Sequence, residues 1–310
     1  MLQQTQVKTV IPYFQRWMRT LPTVQAFARA PLPKILKLWE GLGYYHRVRH
    51  AQSAARQIVR RHAGRFPSAF DDVLALPGVG PYTAGAICSI AFNQPAPILD
   101  GNVIRVLSRL FGIAGNPRRK SVNTKLWNLA RALVCAPGVE PSQLNQALME
   151  MGALICLPRR PKCALCPVRR HCFARQQNRV AAFPAPARRS PPRQRRFIAL
   201  IVRRRGRFLL RRRPMGVVNA GLWEFPNIEI PLQTRNPAAK AAPFSLAPGG
   251  PFFRLRHTIT RHRILLEAFR AGFSADSPPP GAWKTIAQAG QLPFTSAHRK
   301  VFDAVCRSDS

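Results

Sequence analysis

Leu76-Pro77-Gly78-Val79-Gly80-Pro81-Tyr82-Thr83-Ala84-Gly85 sits between two stretches of helical spacing, residues 70–76 and 81–92. Glycines at 78 and 80 permit a tight hairpin whose backbone N–H groups point outward where the next helix begins. That geometry holds a phosphate without reading a base. Taken alone, the same pattern also serves as a plain turn, so its meaning depends on the chain around it.

Outward from the hairpin, apolar residues keep helical spacing over residues 7–18 (interrupted by Pro12), 32–39, 47–62, 102–111, 125–134 and 142–155. No alternating run precedes residue 190, so residues 1–180 read as an all-α domain. Residues 181–196 read as a linker, rich in Pro and Arg from Phe183 onward and extended by like charge. Residues 197–310 read as a second, α+β domain. Residues 197–202 and 207–211 form a hairpin turning at 203–206, further strands lie at 222–230 and 263–269, and a helix closes the chain at 296–305. Residues 231–251 read as a loop.

Forty-nine Lys and Arg against twelve Asp and Glu give a net charge of +37 over 310 residues, and a polyanion is the default partner of such a chain. Hydrophobic residues, at 46%, suffice for real cores and exclude extended disorder. No apolar run approaches the roughly 20 residues of a membrane helix, and the first six residues carry no secretory pattern. Seven cysteines, an odd number with four bunched, argue for a reduced compartment over a disulfide framework.

The bunched four, Cys156, Cys163, Cys166 and Cys172, are spaced C-x6-C-x2-C-x5-C. Four thiols in so short a run must converge on metal. One compact run with a long first gap fits a [4Fe–4S] cluster better than zinc, which usually takes two C-x2-C knuckles and a longer spacer; zinc remains the alternative. Arg159, Arg160, Lys162, Arg169 and Arg170 share the run, so the metal would hold a cationic loop rigid. Cys88, Cys135 and Cys306 read as ordinary core or surface residues. Asp100, in Pro97-Ile98-Leu99-Asp100-Gly101-Asn102-Val103, is a carboxylate among apolar residues where a helix begins. It reads either as an N-cap or as an acid facing a flipped nucleotide.

Met1-Leu2-Gln3-Gln4-Thr5-Gln6-Val7, Trp39-Glu40-Gly41-Leu42-Gly43-Tyr44-Tyr45, the hairpin, the Asp100 segment and the four cysteines occur in that order. Together they resemble the helix-hairpin-helix DNA glycosylases, and within them the adenine DNA glycosylase (MutY) family, densely to residue 180. The resemblance continues thinly through Gly221-Leu222-Trp223-Glu224-Phe225-Pro226 and His257-Thr258-Ile259-Thr260-Arg261. It implies a helix-hairpin-helix domain carrying a [4Fe–4S] loop over residues 156–172, followed by a Nudix-like module that recognises 8-oxoguanine. Glu224, Glu229 and Glu267 are too scattered for the magnesium site of a pyrophosphate hydrolase.

The resemblance further implies base-excision repair of double-stranded DNA, with hydrolysis of the glycosidic bond of adenine opposite 8-oxoguanine or guanine after base flipping. Asp100 matches the carboxylate that stabilises or traps the oxocarbenium-like sugar. Tyr82 matches a tyrosine near that intermediate, and Asn102 a neighbouring polar contact. Gln4 and Tyr44 match residues that wedge into the stack, and Thr5 belongs to the same lesion-contacting segment. Gly78 and Gly80 would hold phosphate, and Thr260, in Ile259-Thr260-Arg261 where the family carries Phe-Ser-His, would bond the lesion.

The endonuclease III branch places a Schiff-base lysine where this chain has Tyr82, so a monofunctional enzyme is expected over a bifunctional lyase. The family's general acid is a glutamate two residues before the Met-Leu-Gln-Gln run. The chain begins at that methionine and is expected to lack it, through a start site placed too far downstream or a true truncation. A non-catalytic lesion-binding protein is the alternative of a different class. The implied setting is the bacterial cytoplasm, on nucleoid DNA, as a monomer without membrane attachment.

Overall fold

The computed structural model describes residues 1–3, 5–185, 191–259, 261–273 and 280–308. Its helices are α1 (Val7–Thr20), α2 (Val24–Arg29), α3 (Leu32–Leu38), α4 (His46–Arg61), α5 (Phe70–Leu74), α6 (Pro81–Phe92), α7 (Gly101–Leu110), α8 (Lys120–Val134), α9 (Pro141–Glu150) and α10 (Phe173–Gln176). The strands are β1 (Arg193–Arg204), β2 (Arg207–Arg212), β3 (Trp223–Glu224), β4 (Asn227–Ile230), β5 (Phe244–Leu246), β6 (Phe253–Ile259), β7 (His262–Phe273) and β8 (Ala282–Thr285), with α11 (Ile286–Gly290) and α12 (Ser296–Ser308) closing the chain. The all-α first part and the α+β second part are as the sequence leads one to expect.

Packing divides the chain into two compact units, Ser53–Arg189 and the combination of Met1–Gln52 with Ser190–Ser310. The grouping therefore departs from chain order, in which residues 1–180 stand together. Glu40 accounts for much of it. Its Oε1 accepts from the Phe294 N–H at 2.9 Å and from Arg299 Nε at 2.9 Å, while Oε2 accepts from Lys37 Nζ at 2.7 Å. Leu222 is fully buried with Leu36, Trp39 and Val48.

In that unit β1 runs parallel to β7 and antiparallel to β2 and β4, giving the sheet path β3-β2-β1-β7-β5. Phe208, Phe225, Phe294 and Phe302 fill one face, while Ile198, Leu200, Ile230 and Phe269 fill the other. The expected linker ends early, because Arg193–Arg196 already pair with His262–Leu265 as strand. Arg196 and Arg195 find carboxylates there, Glu267 at 2.7 Å and Glu229, so two of the like charges that argued for an extended linker are neutralised. The expected loop at 231–251 holds a short 3₁₀ turn at Pro237–Lys240 and strand β5.

In the Ser53–Arg189 unit, Ile98, Val103, Leu107 and Leu126 are fully or almost fully buried between α7, α8 and α9. The helix expected over 142–155 is α9 followed by one π-helical turn, Met151–Ile155. Gly152 explains the change of pitch. A Cβ there would stand 2.7 Å from Asn102 Cβ, so the chain is pressed against the start of α7. Such π-bulges recur at functional sites.

Candidate active site

Gly78 adopts φ +78°, which a side chain resists, and Val79 N–H closes the turn on Leu76 C=O at 3.0 Å. Gly80 is different. Its φ of −101° suits any residue, and a Cβ on it would meet nothing within 4 Å. What Gly80 contributes is an open approach to the main chain at the start of α6, where no side chain caps the helix.

One turn further along α6, Gly85 packs directly on the Pro97 carbonyl, leaving no space for a Cβ. Buried Asn145 ties the same elements together, donating to Ser89 Oγ at 2.8 Å and Ala96 C=O at 2.9 Å. This crossing delivers Asp100 beside Tyr82. Burial, and then the Asp100 carboxylate, push the Tyr82 phenol above its ordinary value, so it stays a neutral donor. Its hydroxyl contacts Met149 Sδ at 3.4 Å.

Asp100 is the N-cap of α7. Oδ1 accepts from Asn102 N–H at 2.9 Å and Val103 N–H at 2.8 Å, whereas Oδ2 has no hydrogen-bond partner among the described residues. The two sequence readings of this residue are thus compatible: the cap fixes one oxygen and leaves the other available. Asn102 does not turn toward it. Its Oδ1 accepts from Arg105 Nη2 at 2.8 Å.

Arg105 and Arg109 join this site in the structure, although the sequence reading does not single them out. Arg105 also donates to Gly152 C=O and Cys156 C=O, each at 2.6 Å, binding the π-turn to α7. Arg109 is only 4% exposed. It donates to Cys156 Sγ at 3.3 Å and to the carbonyls of Leu157 (2.7 Å), Pro158 (3.3 Å) and Phe183 (3.0 Å). The available signal was a pair of arginines four apart on the apolar face of an amphipathic helix, where a charge needs a dedicated partner.

Cys156, Cys163, Cys166 and Cys172 line one hollow, with Ile155, Pro161 and Val180 as apolar walls and Arg109 at its edge. All four are free thiols. Among the described residues no three ligating side chains gather tightly enough for a single ion. Four soft sulfurs around an apolar hollow, with a guanidinium on one of them, fit a polynuclear iron–sulfur group.

Tyr44 and Thr5 belong to the other unit and are brought together by Arg47, also missed from sequence. Arg47 donates to Thr5 Oγ1 at 3.4 Å, to Met1 C=O at 3.1 Å and to Gln3 C=O, and its guanidinium lies 5.5 Å from the Tyr44 ring centroid. Tyr44 is exposed, with φ +46°. Gln4 and Thr260 lie outside the described residues. The Nδ1 atoms of His257 and His262 are buried without hydrogen-bond partners among the described residues. Glu224, Glu229 and Glu267 are each ion-paired with arginine.

Residues 1–132 match the model of the HhH-GPD superfamily base excision DNA repair proteins, and residues 197–304 match that of the NUDIX domain. The adenine DNA glycosylase of Rattus norvegicus is 35% identical over an alignment covering 97% of this chain and 69% of that protein. The chain belongs to the adenine DNA glycosylase family. The Mus musculus adenine DNA glycosylase is 36% identical over the same shares of the two chains. Among solved structures, a thermostable thymine-DNA glycosylase is 30% identical over 57% of this chain and 80% of its own, with a TM-score of 0.51.

Proposed function

We propose that this adenine DNA glycosylase family member excises adenine opposite 8-oxoguanine or guanine from double-stranded DNA by hydrolysis alone. The observation that carries the reading is the juxtaposition of Tyr82 and Asp100 by the Gly85–Pro97 crossing, directly after a hairpin open to phosphate. In this reading the hairpin grips the backbone 3′ or 5′ of the flipped nucleotide through Gly78 and Gly80. Asp100 Oδ2 faces the sugar and stabilises positive charge as the base departs. Tyr82, held neutral, packs beside that sugar and offers no amine for an imine.

Cys156, Cys163, Cys166 and Cys172 would hold a [4Fe–4S] cluster, which would supply rigidity to the cationic loop between them. Arg109 would orient Cys156 and offset thiolate charge, and Arg105 would couple that loop to the start of α7. Tyr44 and Thr5, set by Arg47, would enter the stack next to the lesion, and Thr260 would bond 8-oxoguanine.

The test is binding and single-turnover adenine release on an A:8-oxoguanine duplex, with A:T as control. The 310-residue chain binds the lesion duplex selectively. The protein releases adenine from the lesion duplex, and Asp100→Asn removes that release, because Asn keeps the cap but not the charge. Equal affinity for both duplexes defeats the lesion reading, and undiminished release by Asp100→Asn defeats the mechanism.

A further inference from the structure

At the β1–β2 turn, Arg205 and Gly206 both take positive φ, +48° and +71°, forming a two-residue hairpin. The tip presents Arg203, Arg204, Arg205 and Arg207 to solvent. Arg204 and Arg207 are direct cross-strand partners. Like charges in that relation destabilise a hairpin unless something neutralises them. Elsewhere in this module arginines are matched to acids: Arg195 to Glu229, Arg196 and Arg254 to Glu267, Arg211 and Arg213 to Glu224. Arg204, Arg205 and Arg207 have no side-chain hydrogen bond or ion pair among the described residues, and Lys284 on β8 lies in register opposite Phe208 next to them. Arg204, Arg205 and Arg207 thus form an array of cations on a rigid two-strand tip, while Glu224, Glu229 and Glu267 are paired with other arginines.

We propose that this hairpin tip is a phosphate-contacting surface for duplex DNA, separate from the turn between β6 and β7. The parallel register sets the separation. Arg193 pairs with His262 beside that turn, while Val202 pairs with Ala271 at the far end. Ten residues of strand at about 3.3 Å each put the tip roughly 30 Å from it, close to one helical turn of DNA. The tip thus contacts backbone away from a base held at the β6–β7 turn and adds sequence-independent affinity. That separation rests on the lesion reading given above; the phosphate contact does not.

The experiment uses the full chain and an undamaged duplex about three helical turns long, so it reads out independently of lesion recognition. Arg204→Ala, Arg205→Ala and Arg207→Ala are combined, and affinity is followed against salt. Each lost phosphate contact lowers the slope of log affinity against log salt by about 0.9, so a fall of 2 to 3 is expected. A photocrosslinking residue at position 205 captures the duplex, which separates local contact from loss of net charge. Melting temperature holds or rises, since the Arg204–Arg207 opposition is relieved. An unchanged slope overturns the proposal, as it would if the tip served an acidic protein instead. A reduced slope without crosslinking to DNA overturns it as well.

Discussion

Gly85 of α6 packs directly on the main-chain carbonyl of Pro97, with no room between them for a methyl group. The contact fixes where the Asp100 segment crosses α6, and so fixes Asp100 against Tyr82. Gly85→Ala forces the two elements apart at a stability cost of about 1–3 kcal/mol, as overpacking does in well-filled interiors. The urea midpoint falls accordingly. Adenine release falls further than the change in folded fraction explains, because the carboxylate is displaced.

Arg109 donates to three main-chain carbonyls, of which the bond to Phe183 is buried. Arg109→Met keeps much of the volume and removes those bonds, and leaving the buried Phe183 carbonyl unpaired costs about 1–3 kcal/mol. The expected outcome is a chain that retains little iron and sulfide per mole, read by elemental analysis. Full iron content in this variant would show that the carbonyl clamp is dispensable.

Glu40 gathers Lys37, Arg299 and the Phe294 N–H around one half-buried carboxylate. Removing one member of such a set strands the remaining charges. Glu40→Ala is expected to destabilise the unit formed by residues 1–52 and 190–310 by about 3 kcal/mol, with a smaller loss for Glu40→Gln. Hydrogen exchange localises the effect, with protection lost in α3 and α12 together.

His298 gives a pH signature away from the catalytic groups. It is buried, and its Nδ1 accepts from Phe225 N–H at 3.2 Å. Burial outweighs the attraction of Glu224, 4.0 Å away, and pushes its pKa down to about 4. The folded state therefore holds the ring neutral where the unfolded chain, near 6.5, takes a proton. Stability is complete above about pH 6.5 and is lost as pH falls toward 4, by about 3 kcal/mol at 1.36 kcal/mol per unit. His298→Gln flattens that slope in denaturant titrations between pH 4 and 7, and an unchanged slope contradicts the assignment.

Much of this architecture was legible in the sequence, and the remainder has identifiable causes. Helical periodicity marked α6 and α7 because each buries one apolar face, and the cysteine spacing marked the loop because nothing else explains four thiols there. The short strands β5 and β8 were not legible, since their pairing partners lie far along the chain. The packing of residues 1–52 with the last third was hidden for the same reason: Glu40 and Arg299 are 259 residues apart. Arg47, Arg105 and Arg109 do not stand out in a chain with 49 Lys and Arg, because the spacing that marks Arg105 and Arg109 is faint there and the contacts of Arg47 are set by the fold. Asp100 shows the limit from the other side. Its capping role followed from position, whereas the free Oδ2 beside Tyr82 required the crossing at Gly85.

The central claim is that Asp100, presented beside Tyr82, supports departure of adenine from a lesion duplex. The most direct measurement is single-turnover adenine release from an A:8-oxoguanine duplex by the protein, compared with its Asp100→Asn variant. The account predicts lesion-specific release that the substitution lowers by at least about 10²-fold, while affinity for the duplex and the melting temperature hold. Release at the same rate from both proteins would contradict it.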